Sequence, residues 1–211
     1  MSIAFVISAP SGAGKSTLIR RLLESDPGLL FSVSYTTRQP RPGEVPGVAY
    51  HFVGREEFLE RLQRGEFLEW AEVFGNYYGT HRSYYEQACG TGRDLVLDID
   101  TEGARQLRLR LPEVVSIFIL PPSRAILEHR LRQRGQDSPE AIERRLREAA
   151  REAQRYLEYD YVVVNDVVEQ ATQQLLSIVQ AERCRRHRMD RVARVVLESF
   201  RLSNVSLRSN D

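Results

Sequence analysis

The residues of this chain best placed to do chemistry gather in one short stretch, "APSGAGKST", from Ala9 to Thr17. Lys15 is the single lysine among the 30 Lys and Arg residues. After an apolar run and before a helical pattern, "GAGKST" supplies consecutive backbone N–H groups that can curl round an anion, and the dipole of the following helix points the same way. Gly12 and Gly14 let the backbone come close to such a ligand. In the nucleoside triphosphate version of this loop, the lysine reaches the β- and γ-phosphates. The next hydroxyl, here Ser16, is placed to ligate Mg²⁺. A compact ammonium on a flexible stem fits inside so tight a wrap, whereas a planar guanidinium is wider. Ala9 stands where the pattern G-x-x-x-x-G-K-[ST] asks for glycine, and alanine is the smallest departure.

Two further groupings could act on phosphates. "LVLDID" brings Asp98 and Asp100 to the end of an apolar run, where carboxylates serving a nucleotide's metal commonly stand; the same acids could simply cap a helix starting at Thr101. In "HRLRQRG", Arg130 and Arg134 share a helical face at i, i+4 and repel each other unless an anion lies between them. "ERRL" adds Arg145, but glutamates are interleaved throughout, and a solvated charged helix is the better reading for Arg144, Arg147 and Arg151. Cys89 and Cys184 lie far apart and the four histidines have no ligand spacing, so no disulfide framework or zinc site is indicated; a reducing cytoplasm fits.

These residues need elements to hold them. Four apolar runs read as buried parallel strands: Ile3–Ser8, Asp94–Asp100, Val114–Leu120 and Tyr161–Asp166. Each precedes a helical pattern, an alternation that argues for an α/β fold with a parallel sheet covered on both faces. A further strand, Phe31–Thr37, is expected to join that sheet. Turn signals crowd "RQPRPGEVPG", and "YHFV" and "FLEWAEVF" alternate like exposed strands, so an inserted α+β lobe is expected. "SPEAIERRLREAAREAQRYLEY" reads as a long charged helix in a lid, "VVEQATQQLLSIVQAERCRRH" as one final helix, and the tail after Arg194 as polar and frayed. The 211 residues suffice for one core with inserted lobes: core 1–33, 93–122 and 160–190, lobe 34–92, lid 123–159, tail 191–211. The amino-terminal run lacks a basic n-region and reads as a first strand, and no apolar stretch approaches the roughly 18 residues of a membrane helix.

The inserted segment, with "SVSYTTRQPRPGEVPGVAYHFV" and then "FLEWAEVFGNYYGTH", resembles guanylate kinases, and the similarity runs from Ile3 to about Arg188. The resemblance implies the P-loop three-layer fold with a central parallel sheet, a monophosphate-binding lobe and a helical lid. It implies that Arg38, Arg41, Tyr50 and Tyr78 hold the phosphate of GMP, which agrees with the charge-assisted bonds that guanidiniums and phenols offer a dianion. It makes Glu69 the acceptor for guanine N1–H and the exocyclic amine, helped by Ser34 and Thr80. Taken alone, a charged Glu69 on the outer face of an alternating strand is unremarkable. By resemblance Ala9, Pro10, Ser11, Gly12, Ala13, Gly14, Lys15, Ser16 and Thr17 cradle ATP, with Arg130 and Arg134 above it. Asp98 faces GMP, Asp100 lies nearer Mg²⁺ through water, and Lys15, Arg38, Arg134 and Arg145 serve the transferring phosphoryl group.

The implied reaction is ATP-dependent phosphorylation of GMP, and of dGMP, to the diphosphate with Mg²⁺. The net charge of +1 gives no argument for nucleic acid or membrane as a partner, and a homo-oligomer stays open. A GTPase would want Asn-Lys-x-Asp, which a chain with its one lysine at position 15 cannot contain. Two rival readings remain: a non-catalytic guanylate-kinase-like binding module, against which the intact "SGAGKS" speaks, and a kinase for another nucleoside monophosphate, against which Glu69 speaks.

Overall fold

The structure, a computed structural model, describes residues 2–73, 75–111, 113–133 and 138–206, the last six by backbone alone. Five strands form the main sheet: β1 (Ala4–Ser8), β2 (Leu29–Ser32), β7 (Asp94–Asp98), β8 (Val115–Leu120) and β9 (Tyr161–Val164), in the order β2-β7-β1-β8-β9 and all parallel. Period-2 alternation sorts their side chains. Ile3, Phe5 and Ile7 enter one core with Leu18, Ile19 and Leu22 of α1 (Lys15–Ser25) and with Ala171, Leu175 and Val179 of α7 (Val168–Arg183). Ala4 and Val6 enter the other, with Ala88 of α3 (Ser83–Thr91) and Ala104 and Leu107 of α4 (Thr101–Arg110). Helix, sheet and helix make the three layers of the α/β class.

Because β1 is central, with β2 and β7 on one side of it and β8 and β9 on the other, the crevice beyond its carboxyl end is where a parallel sheet of this kind binds ligands. The glycine turn opens there. The second sheet, in the order β4-β3-β6-β5, comprises β3 (Tyr35–Thr36), β4 (His51–Phe52), β5 (Phe67–Val73) and β6 (Asn76–His81); α2 (Arg55–Gln63) brings Phe58 against Phe67 and Tyr77.

Several elements differ from the sequence-based expectation. The run Phe31–Thr37 is two strands: β2 ends at Ser32 in the core sheet, and β3 begins at Tyr35 in the lobe sheet, so the chain crosses between them at Val33 and Ser34. The strand expected to reach Asp100 stops at Asp98, and Asp100 becomes the N-cap of α4, its Oδ1 accepting from the Gly103 N–H at 2.7 Å. The segment expected to form a lid contains two helices, α5 (Arg124–Gln133) and α6 (Pro139–Ala153), packed together through Leu127, Leu131, Ile142, Leu146 and Ala149. Ser138 caps α6 by accepting from Ala141 N–H. The final helix is two: α7 ends at Arg183, and α8 (Arg186–Ser206) carries on through the tail expected to fray, with Val195, Leu197 and Phe200 exposed along it. Among the described residues, no helix is long and apolar enough to cross a membrane.

Candidate functional site

The phosphate loop is shaped by two positive-φ glycines. Gly12 and Gly14 both sit at φ 92°, a conformation L side chains rarely adopt. Gly14 is also the residue before α1, which has no side-chain cap and no acidic residue in its first turn. The first N–H groups of α1 are therefore left for an anion. Gly12 lies against Leu127 and Leu131 of the lid, so the loop and α5 are in direct contact. From the far side, Asn165 Nδ2 donates to the Ala13 carbonyl at 2.7 Å and occupies the space where a Gly14 side chain would begin. Arg130 reaches over the same region, donating to the Asn165 carbonyl at 2.9 Å and to that of Ala13 at 3.4 Å.

Asn165 was not singled out from sequence, although a polar residue closing the apolar run "YVVV" was the available signal. Replacing Asn165 by alanine removes the shorter bond to a buried carbonyl. The expected loss is about 1–3 kcal/mol of unfolding free energy, read from the denaturant midpoint.

Lys15 points into the main cleft. Its Nζ stands 2.5 Å from Asp98 Oδ1 and donates to the Ile99 carbonyl at 3.2 Å, which holds the ammonium at the strand end. The cleft has a volume of about 450 Å³. Its core wall carries Ser11, Lys15, Asp98 and Asp100, and its lobe wall carries Ser34, Arg41, Tyr50, Glu69 and Tyr78. The lid contributes Arg144, Arg145, Glu148 and Glu152. Arg144 borders the cleft but keeps 63% of its side-chain surface exposed, in keeping with the solvated reading, and Ser16 and Thr17 stand exposed at the start of α1.

Glu69 is the unusual residue of the lobe wall. It is 3% exposed, where the sequence by itself allowed an outward carboxylate. An irregularity in β5 between Phe67 and Glu69 lies next to it, and Phe67, Glu69 and Ala71 all turn inward. Thr80, opposite on β6, donates to Glu69 Oε1 at 2.6 Å. Thr80 is itself fully buried, so it orients Glu69 rather than lining the cleft. Burial raises the Glu69 acid to about 7, and the nearby Asp100 carboxylate adds to the rise against the Thr80 hydrogen bond. Burial likewise pushes the Tyr50 phenol to about 12, with the Asp98 charge adding, so Tyr50 stays a neutral donor.

Arg38 is turned to Glu44, with Nη2 at 2.9 Å from Oε1, and lies over the Tyr50 ring at 5.3 Å. Glu44 also accepts from the Arg41 N–H at 2.8 Å, folding the "RPGE" turn on itself. Glu152, which nothing in the sequence marked, has its acid raised by burial although it lies near the Ser11 N–H and Lys15. Arg134, expected above the donor phosphates, lies outside the described residues. No cluster of three or more His, Cys, Asp or Glu fit to hold a metal occurs among the described residues. The donors near the loop, the exposed Ser16 hydroxyl and the one Asp100 oxygen not used as a cap, suit a hard ion that keeps its waters and takes most ligands from phosphates.

A cleft with a phosphate cradle on one wall and a buried carboxylate on the other suits a protein that holds two different nucleotides at once. Comparison with known proteins agrees. A family model described as guanylate kinase matches residues 1–182. The chain is 54% identical over 186 residues to the guanylate kinase of Escherichia coli strain K12, covering 87% of this chain and 90% of that one. It is 50% identical over 197 residues to the guanylate kinase of Alkalilimnicola ehrlichii, covering 93% and 96%. The crystal structure of guanylate kinase from Anaplasma phagocytophilum superposes with a TM-score of 0.73 at 39% identity, over 89% of each chain.

Proposed function

This chain belongs to the guanylate kinase family, and from that premise we propose how its own residues carry the reaction. The protein phosphorylates GMP to GDP at the expense of ATP; that it also takes dGMP is part of the proposal. The rival readings, a non-catalytic binding module and a kinase for another monophosphate, are not favoured beside relatives at 50% and 54% identity named guanylate kinase.

In our reading, residues 34–92 form the acceptor lobe, 123–159 the lid and the remainder to 190 the core. The first-turn N–H groups of α1, with Lys15, hold the donor's terminal phosphates, and Arg130 lies over the same loop; Arg134, outside the described residues, is assigned beside it by the family resemblance alone. Arg38, Arg41, Tyr50 and Tyr78 take the GMP phosphate, the Arg38 guanidinium leaving Glu44 for the stronger dianion. Glu69 accepts from guanine N1–H and the amine, while Ser34 and Asp98 complete the acceptor wall. The acceptor phosphate is already ionised near neutral pH, so no side chain need remove a proton. Lys15, Arg38, Arg134 and Arg145 serve as fixed cations where charge develops on the transferring group. Ser16 and Asp100 are the residues that would hold Mg²⁺, which would supply further charge neutralisation on the donor phosphates. A cytoplasmic setting suits two exposed thiols with no disulfide between them, Cys89 and Cys184.

The observation that carries this reading is one cleft lined by both Lys15 and a buried Glu69. The test is ADP release from Mg·ATP with GMP, dGMP, AMP, UMP or CMP, followed by GMP titrations across pH. Only GMP and dGMP should support turnover. Guanine presents two donors and so binds the ionised carboxylate. With the Glu69 acid at about 7, the KM for GMP should fall as pH rises from 6 towards 8 and level off above that. The slope is about tenfold per unit on the acid side for a single proton. The KM for ATP should stay flat. Equal turnover with AMP, or a GMP profile with no inflection near 7, removes Glu69 from base recognition.

A further inference from the structure

Gly103 is the third residue of α4, buried, on ordinary helical backbone outside the set of positive-φ glycines. At such a position glycine is a poor choice. It gives up conformational entropy that alanine does not, and the next residue, Ala104, is a buried alanine that fits. The backbone freedom of glycine is unused here, so its lack of a side chain needs another reason. That reason is Glu69. A Cβ on Gly103 would fall inside contact distance of Glu69 Oε2, 3.1 Å from the carboxyl carbon and 3.5 Å from Asp100 Oδ1.

The surrounding structure leaves no easy relief. Oε1 of Glu69 is held at 2.6 Å by the Thr80 hydroxyl. Gln106, one turn along α4, donates to the Trp70 carbonyl at 2.8 Å and accepts from the Trp70 N–H at 3.5 Å. Arg110 donates to the Leu68 carbonyl at 2.6 Å. Strand β5 and helix α4 are therefore tied together on both sides of Glu69, and an added methyl must be accommodated by the carboxylate itself.

We infer that Gly103 is a positioning residue for guanine recognition: its bare Cα forms one wall of the slot that aims the Glu69 carboxylate at the acceptor base. The inference rests on Glu69 being the guanine acceptor. It assigns part of the base specificity to α4, a helix of the core layer, rather than to the lobe alone. Gly103→Ala then displaces the carboxylate while leaving the phosphate loop and the donor site in place.

The test compares the wild-type protein with Gly103→Ala, Glu69→Asp and the double variant, each titrated separately with GMP and ATP, with thermal unfolding followed alongside. The expected result is a KM for GMP raised by about 10- to 100-fold in Gly103→Ala, the worth of one or two hydrogen bonds to a charged group. The KM for ATP should stay within about twofold, the scatter expected of an untouched site. In the Glu69→Asp background the shorter side chain retreats from the added methyl, so Gly103→Ala should raise the GMP KM less than about threefold further. A general loss of packing would move both KM values and would not be relieved by Glu69→Asp. If Gly103→Ala does not fold, a double variant that folds and binds GMP like Glu69→Asp supports the slot, and a double variant that also fails to fold overturns it. Gly103→Ala with unchanged GMP KM, beside a Glu69→Asp that raises it, overturns the positioning role and leaves the Glu69 assignment standing. Unchanged GMP KM in Glu69→Asp itself removes that assignment, and the inference with it.

Discussion

Replacing Lys15 by methionine is expected to lower kcat by about 10²–10³-fold, the usual consequence of removing one preorganised donor from developing charge. Methionine keeps the length and apolar stem of the side chain and deletes only the ammonium. Binding should suffer less, because the first-turn N–H groups of α1 and Arg130 remain to hold ATP, and neither KM should rise by more than about tenfold. Lys15→Arg should rescue little. The guanidinium is planar and wide, and the ammonium now sits between Asp98 Oδ1 at 2.5 Å and the Ile99 carbonyl at 3.2 Å. Thermal unfolding separates catalysis from folding. Asp98 keeps 26% of its side-chain surface exposed, so water can replace its lost partner, and the melting temperature should change by only a few degrees. A kcat within tenfold of wild type would remove Lys15 from the chemistry.

Glu69→Gln should cost about 10²–10⁴-fold in kcat/KM for GMP, the worth of two hydrogen bonds to an ionised acceptor. A carboxamide presents one acceptor and one donor to an edge that offers two donors, so one pairing becomes a repulsion. The penalty should fall on KM, with kcat at saturating GMP changing less, and discrimination against AMP should shrink by a similar factor. The same substitution removes the pH dependence of the GMP KM. Stability should move in the other direction. The folded state holds the Glu69 acid at about 7 against an ordinary value of 4.5, so the folded protein favours the protonated form, and stability from this group is lost as pH rises through that window. Glu69→Gln should therefore raise the melting temperature at pH 8 and have little effect at pH 5. A variant that loses GMP affinity without gaining stability at pH 8 would mean that Glu69 is not buried as a costly charge.

The phosphate loop was readable from sequence because every feature it needs is local: glycines for positive φ, a following helix, a lysine and a hydroxyl. The parallel strands were readable for the same reason, since each is an uninterrupted apolar run. What could not be read were choices made between distant segments. Phe31–Thr37 contains no glycine or proline to mark a break, yet Ser32 pairs with Leu97 and Tyr35 with Gly79, so the division follows from which partner strand is available. Alternation in "FLEWAEVF" correctly separated two faces but carried no information on which would be covered, and Glu69 proved to be on the covered one. Asp100 satisfied its plainer alternative, a helix cap, while still reaching the cleft. Glu152 looks like any other charge on a helix rich in them; only the packing of α6 brings it in beside Ser11 and Lys15. The polar reading of the tail missed Val195, Val196, Leu197 and Phe200 in α8, because the serines, asparagines and arginines that follow them dominate the average.

The ion pair between Lys15 and Asp98 has a thermodynamic corollary. One partner belongs to the donor's binding loop and the other to the wall that receives the acceptor, so neither nucleotide can arrive without altering the charge that greets its companion. On the proposed assignment, ATP would draw the ammonium away and leave a bare carboxylate beside GMP, and a ligand that engages the carboxylate first would release the ammonium for ATP. Reciprocity then demands that the factor by which either substrate changes the other's dissociation constant be the same whichever binds first.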